Sequence, residues 1–296
     1  MRVRALQSQC IGGAIARVLC AALAVLGFAA FASRADEPPD RFDRVVLDAG
    51  HGGDDHGAAG PAGLLEKDLV LDVARRLKER IERSGLQVVL TRGDDIYVPL
   101  EERTAIANRA GGDLFVSIHA NAAPTRSARG VETFFVAIEA SDEAARQLAE
   151  RENAAFREAA PAAPEDPLAS ILGDLAAADQ LRESDEFARI ANREVAALSA
   201  SIPSRGVKQA PFVVLLGVQM PAALVEIGFI TNPAEERDMA SAAFRARVTD
   251  ALARAVFEFA DRYDARRGVP RPTRGRDAAK PPVIDPTAKP VTKGGA

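Results

Sequence analysis

Short apolar, β-branched runs alternate with stretches of helical period from residue 44 to residue 263, and this alternation restricts the fold more than any other feature of the chain. Runs at 44–49 (RVVLDA), 86–91 (LQVVLT), 114–119 (LFVSIH), 131–136 (VETFFV), 212–216 (FVVLL) and 222–230 (AALVEIGFI) read as strands. Helical periodicity fits 66–83, where Leu69, Val73, Leu77 and Ile81 fall on one face, and also 99–110, 142–159, 179–200 and 241–263. The pattern predicts an α/β fold: a single domain with a mixed, mostly parallel central sheet flanked by helices on both faces. Reactive side chains in such folds collect at strand ends.

Several regions depart from this rhythm. Arg2, Arg4 and Arg17 precede an apolar run from Val18 to Ala32, with small residues at Ala30, Ala32 and Ala35. The run falls short of the about 20 residues a membrane span needs, so residues 1–35 read as a secretory signal peptide cleaved after Ala32 or Ala35. An uncleaved anchor is the rival reading, and bulky Leu19 argues against a lipid anchor at Cys20. Cleavage leaves no stable membrane span and removes Cys10 and Cys20, so a metal site in the mature chain must draw on His, Asp or Glu. Residues 36–42 read as an acidic linker. Residues 159–178, longer than a compact α/β connection requires, read as an insertion. Residues 265–296, rich in Pro, Lys, Arg and Gly, lack the large apolar residues to bury and read as a disordered tail. The formal net charge of −4 leaves no positive excess for gripping nucleic acid, which is excluded as a partner class.

Three predicted strands end on, or contain, a polar residue that the pattern does not require. His51 follows the first strand in "LDAGHGGDDHG", among glycines that permit close approach. His119 closes the third strand in "LFVSIHANA", and Glu226 interrupts the apolar "PAALVEIGFITNP". Glu66 opens the first helix. Two imidazoles and a carboxylate are the protein ligands of many hydrolytic zinc sites, which keep a fourth position open. Each has a bland reading: a satisfied strand-end histidine, an acidic residue at a helix start, a buried ion pair. His56 belongs to the bland class. The glycine-rich stretch lacks the spacings of the nucleotide-binding loops.

Taken together, "VVLDAGHGG", "EKD", "FVSIHANA", "GVETFF" and "PAALVEIGFITNPAEE" resemble the zinc-dependent N-acetylmuramoyl-L-alanine amidases of bacterial cell walls, in the family's order and over roughly residues 43–262. The resemblance implies a catalytic domain at 43–264, Zn2+ bound by His51, Glu66 and His119, and Glu226 as the catalytic general base. It further implies hydrolysis of the amide between N-acetylmuramic acid and the L-alanine of the peptidoglycan stem peptide, in the periplasm, for wall remodelling and daughter-cell separation. A zinc peptidase cutting within the stem is the alternative of the same class, and a catalytically silent domain that binds peptidoglycan or recruits a partner is one of another class.

Cell-separation members of the family carry a segment that covers the zinc until an activator protein displaces it. Residues 142–178, with "RQLAERENAAFREAA" and "DPLASILGDL", stand at the corresponding place and imply a regulatory insertion with a partner surface. Glu150, Glu152 and Glu158 are its candidate inhibitory zinc ligands, Glu152 foremost. The alternative is a solvated surface helix.

Overall fold

The computed structural model describes residues 41–155, 167–198 and 203–269. In chain order the elements are β1 (Arg44–Ala49), α1 (Glu66–Glu82), β2 (Gln87–Leu90), α2 (Leu100–Ala110), β3 (Leu114–Asn121), β4 (Val131–Val136), α3 (Glu143–Glu152) with a 3-10 turn at Asn153–Ala155, α4 (Pro167–Ala196), β5 (Ser204–Ala210), β6 (Ala222–Phe229), α5 (Pro233–Ala240) and α6 (Ala242–Arg266). The six strands form one sheet in the order β2-β1-β3-β6-β4-β5. β1, β2, β3 and β6 run parallel, β4 runs antiparallel to β6, and β5 runs parallel to β4.

Side chains alternate across the sheet, so each strand feeds two cores. On one face Val45, Leu47, Val116, Ile118, Val225 and Ile227 pack against α1, α4 and α6. Leu69, Val73, Leu77 and Ile81 of α1 are fully buried there, about 1.5–3 kcal/mol of apolar transfer each, which is what the one-sided spacing of that helix specifies. On the other face Val46, Phe115, Phe134 and Leu224 pack against α2, α3 and the segment 212–220. Helices therefore cover both faces, as the alternation predicts.

Two expectations fail at the 200–220 region. Residues 212–216 form a turn, not a strand, with Leu215 N–H and Leu216 N–H both donating to the Phe212 carbonyl. Pro211 and Gly217 bracket the run, and a turn buries Phe212 and Leu215 on one side while Leu216 stays 45% exposed. The strand that pairs with β4 is β5, SRGVKQA, which is too polar to read as one. It is an edge strand, where Arg and Lys deter further pairing.

Three boundaries also shift. Phe42, at the end of the segment read as linker, is buried and packs edge-on to Phe259 and Tyr263. The last helix runs to Arg266, and Val269 beyond it is buried, so the folded domain enters the segment read as tail. Much of the insertion read at 159–178 extends α4, which starts at Pro167, a residue suited to the first helical turn. Signal peptide, cysteines, the remaining tail and the side chains of the "DPLASILGDL" stretch lie outside the described residues.

Candidate metal centre

On the α2/α3 face the apolar residues give way to polar ones toward the carboxyl ends of the parallel strands. Asp48, Ser117, His119 and Glu226 follow Val46, Phe115 and Leu224 at the next positions of the same alternation, and all four are buried. His119 and Glu226 are register partners across β3 and β6, and Glu226 and Glu132 are partners across β6 and β4. Three titratable side chains thus form one row across the middle of the sheet.

His51 reaches this row from the loop after β1. Its φ of 59° is the one left-handed value at a non-glycine residue among the described residues, a conformation that costs free energy and concentrates at functional sites. A Cβ at Gly50 would lie 2.4 Å from the His119 ring, and one at Gly57 would lie 2.6 Å from the His51 ring. Glycine at these two positions is what lets the imidazoles approach. Asp55 accepts or shares the proton of His51 Nδ1 at 3.0 Å, which turns Nε2 toward the row.

Glu66 enters at the start of α1 and uses both carboxylate oxygens. Oε1 accepts from Ala120 N–H at 2.9 Å and stands 3.1 Å from His119 Nδ1; Oε2 accepts from Ala58 N–H at 2.9 Å and stands 3.3 Å from His51 Nε2. Glu152, at the end of α3, brings Oε2 to 3.3 Å from His51 Nε2 and 3.2 Å from His119 Nδ1. One ligand atom each of His51, His119 and Glu152 lie within 4.8 Å of one another, close enough to share a cation.

A family model described as N-acetylmuramoyl-L-alanine amidase matches residues 45–258. The chain belongs to this amidase family. It is 38% identical to the N-acetylmuramoyl-L-alanine amidase AmiA of Escherichia coli K12, over 74% of this chain and 77% of the relative. It is 34% identical to AmiC of Neisseria meningitidis, over 76% of this chain and 54% of that one, so it spans about half of that relative's length. Among solved structures, amidase AmiC2 of Nostoc punctiforme matches with a TM-score of 0.56 at 29% identity, covering 74% of this chain and 97% of that one. The catalytic domain of CwlV from Paenibacillus polymyxa matches with a TM-score of 0.56 at 28% identity, covering 74% and 98%.

The electrostatics of the amidase's site call for positive charge. Burial disfavours a charged His51, but Glu66, with Asp55 and Glu152, outweighs burial and raises its proton affinity far above the histidine range. His119 is raised to about 10, burial again being outweighed by Glu152 and Glu66. Glu66 and Glu152 are held below the carboxylate range because the two imidazoles overcome their burial. Carboxylates crowded round two imidazoles thus favour positive charge at this point, which a divalent cation would supply. His51 Nε2, Glu152 Oε2 and both oxygens of Glu226 are buried without a hydrogen-bond partner among the described residues. Nitrogen and carboxylate donors with such orphaned atoms fit a divalent metal of zinc's type. Glu226, completely buried, is pushed well above the carboxylate range by desolvation; His119 opposes this, and Glu66, Glu152 and Glu132 add to it.

His51, Glu66, His119 and Glu226 lie together at this centre, and His56, read from the sequence as a bystander, is exposed with its carbonyl accepting from Lys67 N–H. Of the three acids considered for the insertion, Glu152 enters the site, Glu150 is exposed and paired with Arg146, and Glu158 lies outside the described residues. The sequence reading missed Asp55, whose signal was its place four residues after His51 in the glycine loop, and Asp48, which looks like one more residue of an apolar run.

Proposed function

We propose that the chain is a periplasmic, zinc-dependent N-acetylmuramoyl-L-alanine amidase that hydrolyses the amide between N-acetylmuramic acid and the first residue of the stem peptide. The observation that carries the residue assignment is the convergence of His51 Nε2, His119 Nδ1 and the Glu66 carboxylate beside a buried, unpartnered Glu226. His51, Glu66 and His119 hold the metal, which when bound polarises the scissile carbonyl and acidifies the attacking water. Asp55 orients His51, and the two backbone N–H groups of Ala58 and Ala120 orient Glu66. Glu226 takes a proton from the water as its oxygen bonds to the lactyl carbonyl carbon, and returns it to the L-alanine nitrogen as the C–N bond breaks. The raised proton affinity of Glu226 suits a group that carries a proton between two steps. No helix of the described residues is long and apolar enough to cross a membrane.

Digestion of purified peptidoglycan tests the reaction. Intact stem peptides with a free L-alanine amine, together with peptide-free glycan, are the expected products; fragments cut within the stem would replace this reading with a stem peptidase. Exhaustive chelation should abolish release and added zinc should restore it, whereas full activity with metal absence verified by elemental analysis would overturn the metal assignment.

A second reading concerns regulation and rests on Glu152. With its carboxylate oxygen between the two imidazoles, α3 fills the position that water and the scissile carbonyl must share. The described conformation is then an inhibited one, and a periplasmic activator that engages the 142–178 segment would lift α3 away.

A further inference from the structure

The two largest fully buried side chains among the described residues are not apolar. They are the guanidinium groups of Arg92 and Arg103, 1% and 2% exposed. Arg103 Nε donates to the Val98 carbonyl at 2.8 Å, Nη1 to Asp48 Oδ1 at 2.8 Å and to the Ala49 carbonyl at 2.7 Å, and Nη2 to the His51 carbonyl at 2.7 Å. Arg92 Nε donates to the Ala49 carbonyl at 2.8 Å, Nη1 to the Asp94 carbonyl at 3.2 Å, and Nη2 to the Gly50 carbonyl at 2.8 Å and the Lys67 carbonyl at 2.9 Å. Asp48 also accepts from Thr91 Oγ1 and from Ser117 Oγ, the latter two residues before His119 on β3.

This wiring touches each segment that delivers a proposed ligand. The carbonyls of Ala49, Gly50 and His51 lie at and just past the end of β1, where the left-handed turn at His51 takes the chain out of the sheet. Buried carbonyls without a partner are costly, and a single guanidinium offers five donors in a fixed plane to satisfy several at once. Arg92 Nη2 joins the His51 loop to the residue after Glu66, and Asp48 joins the same loop to β3. Stability alone does not call for this arrangement, since burying charged groups carries a desolvation cost that apolar side chains of similar volume avoid.

We propose that Arg92 and Arg103 are positioning residues of the metal centre: by clamping the carbonyls of residues 49–51 and 67 they hold the strained His51 in register with Glu66 and His119. The proposal rests on the zinc reading of the site for its effect on affinity, and on the loop geometry alone for its effect on backbone order. Supporting groups around metal ligands commonly alter metal affinity by about 10–100-fold, the effect expected here.

The test uses the purified chain with Arg103→Lys and Arg92→Lys, which keep the charge but cannot span the acceptors, and Leu252→Ala in α6 as a destabilised reference remote from the loop. Amide hydrogen exchange of residues 49–58 is followed in metal-free protein, and zinc affinity is measured by competition with a chromophoric chelator, at a temperature where each variant is folded by circular dichroism. Both lysine variants should exchange faster across the loop and bind zinc about 10–100-fold more weakly, while Leu252→Ala melts earlier yet keeps wild-type affinity and loop exchange. Wild-type loop exchange and affinity in the lysine variants, or an equal loss in Leu252→Ala, would overturn the clamp. If Arg103→Lys does not fold, Arg92→Lys and Thr91→Val, which withdraws one donor from Asp48, decide it by the same outcomes. Should the wild type bind no zinc, the metal reading falls and loop exchange still decides the clamp.

Discussion

At Glu226 a carboxylate sits at zero exposure between His119 on β3 and Glu132 on β4, with neither oxygen hydrogen-bonded. Leaving such a group unpaired costs on the order of 1–3 kcal/mol even when neutral, so packing does not account for the residue, and the proposed proton transfer does. Glu226→Gln keeps the shape and removes the proton carrier. It should leave zinc bound and melting temperature unchanged or higher while turnover falls by about 10²-fold or more; a near-normal rate, read with purified peptidoglycan, would demote Glu226 to a structural role. Asp48 presents the opposite case, a buried carboxylate that is satisfied. Burial alone would raise its pKa from 3.8, but Arg103, Thr91 and Ser117 together bring it below that value. A depressed folded value means the stabilisation is complete above pH 3.8 and is lost as pH falls through the lower folded value. Melting temperatures from neutral pH into acid should therefore drop less steeply for Asp48→Asn than for the wild type, although the variant, with Arg103 left unpaired, starts lower at neutral pH. Equal acid slopes would mean that Asp48 takes no part in the acid transition.

At the scale of elements, α3 is the one that carries Glu152 to the two imidazoles, and the inhibition proposal turns on how it is held. Asp142 caps it by accepting from Ala145 N–H, and Ala145, Leu148 and Ala149 bury one side of it against the sheet. Asn153 fastens its far end to the 211–213 turn, donating to the Pro211 carbonyl and accepting from Val213 N–H. Lys208 pairs with Asp142 and Arg151 donates to the Ala122 carbonyl, so on the inhibition proposal these are the contacts that must break for α3 to lift Glu152 out of the centre. Glu152→Ala should raise the basal rate on purified peptidoglycan, and removal of the blocking carboxylate together with the rest of the 150–178 segment should raise it at least as far. A wild type already as fast as both variants, with no gain from any periplasmic activator, would end the inhibition reading and leave the amidase assignment intact. The same corner of the fold shows where apolar composition misleads. "FVVLL" satisfies a strand pattern, yet Pro211 and Gly217 confine it to a turn under α3, and the neighbouring polar "SRGVKQA" pairs with β4 because an edge strand needs backbone partners more than apolar side chains.

For the molecule as a whole, the proposed ligand set exists only when β1, β3 and α1 are assembled, so zinc held there would bind the folded state alone and stabilise it. At a free zinc concentration of 100 times Kd the gain is about 2.7 kcal/mol, which for a domain of this size raises Tm by roughly 5–11 °C. Calorimetry with and without chelator checks this; an unchanged Tm in the presence of verified excess zinc would mean that the folded chain does not hold it at this centre. The amino-acid sequence by itself determined the α/β class, five of the six strands and the four residues that meet at the candidate centre, because period, glycine placement and a polar residue amid apolar ones are local signals. The row of His119, Glu226 and Glu132 was partly written there too, since β6 alternates with Glu226 on the same side as Leu224. Tertiary structure alone decided how close Glu152, already foremost in the sequence, comes to the two imidazoles, that Asp55 and Asp48 serve the histidines' loop, and that two arginines lie buried beneath it. An arginine, a short aspartate or one glutamate of a charged helix looks the same in sequence whether it faces water or the interior. Only the crossing of distant segments gives each one its partners.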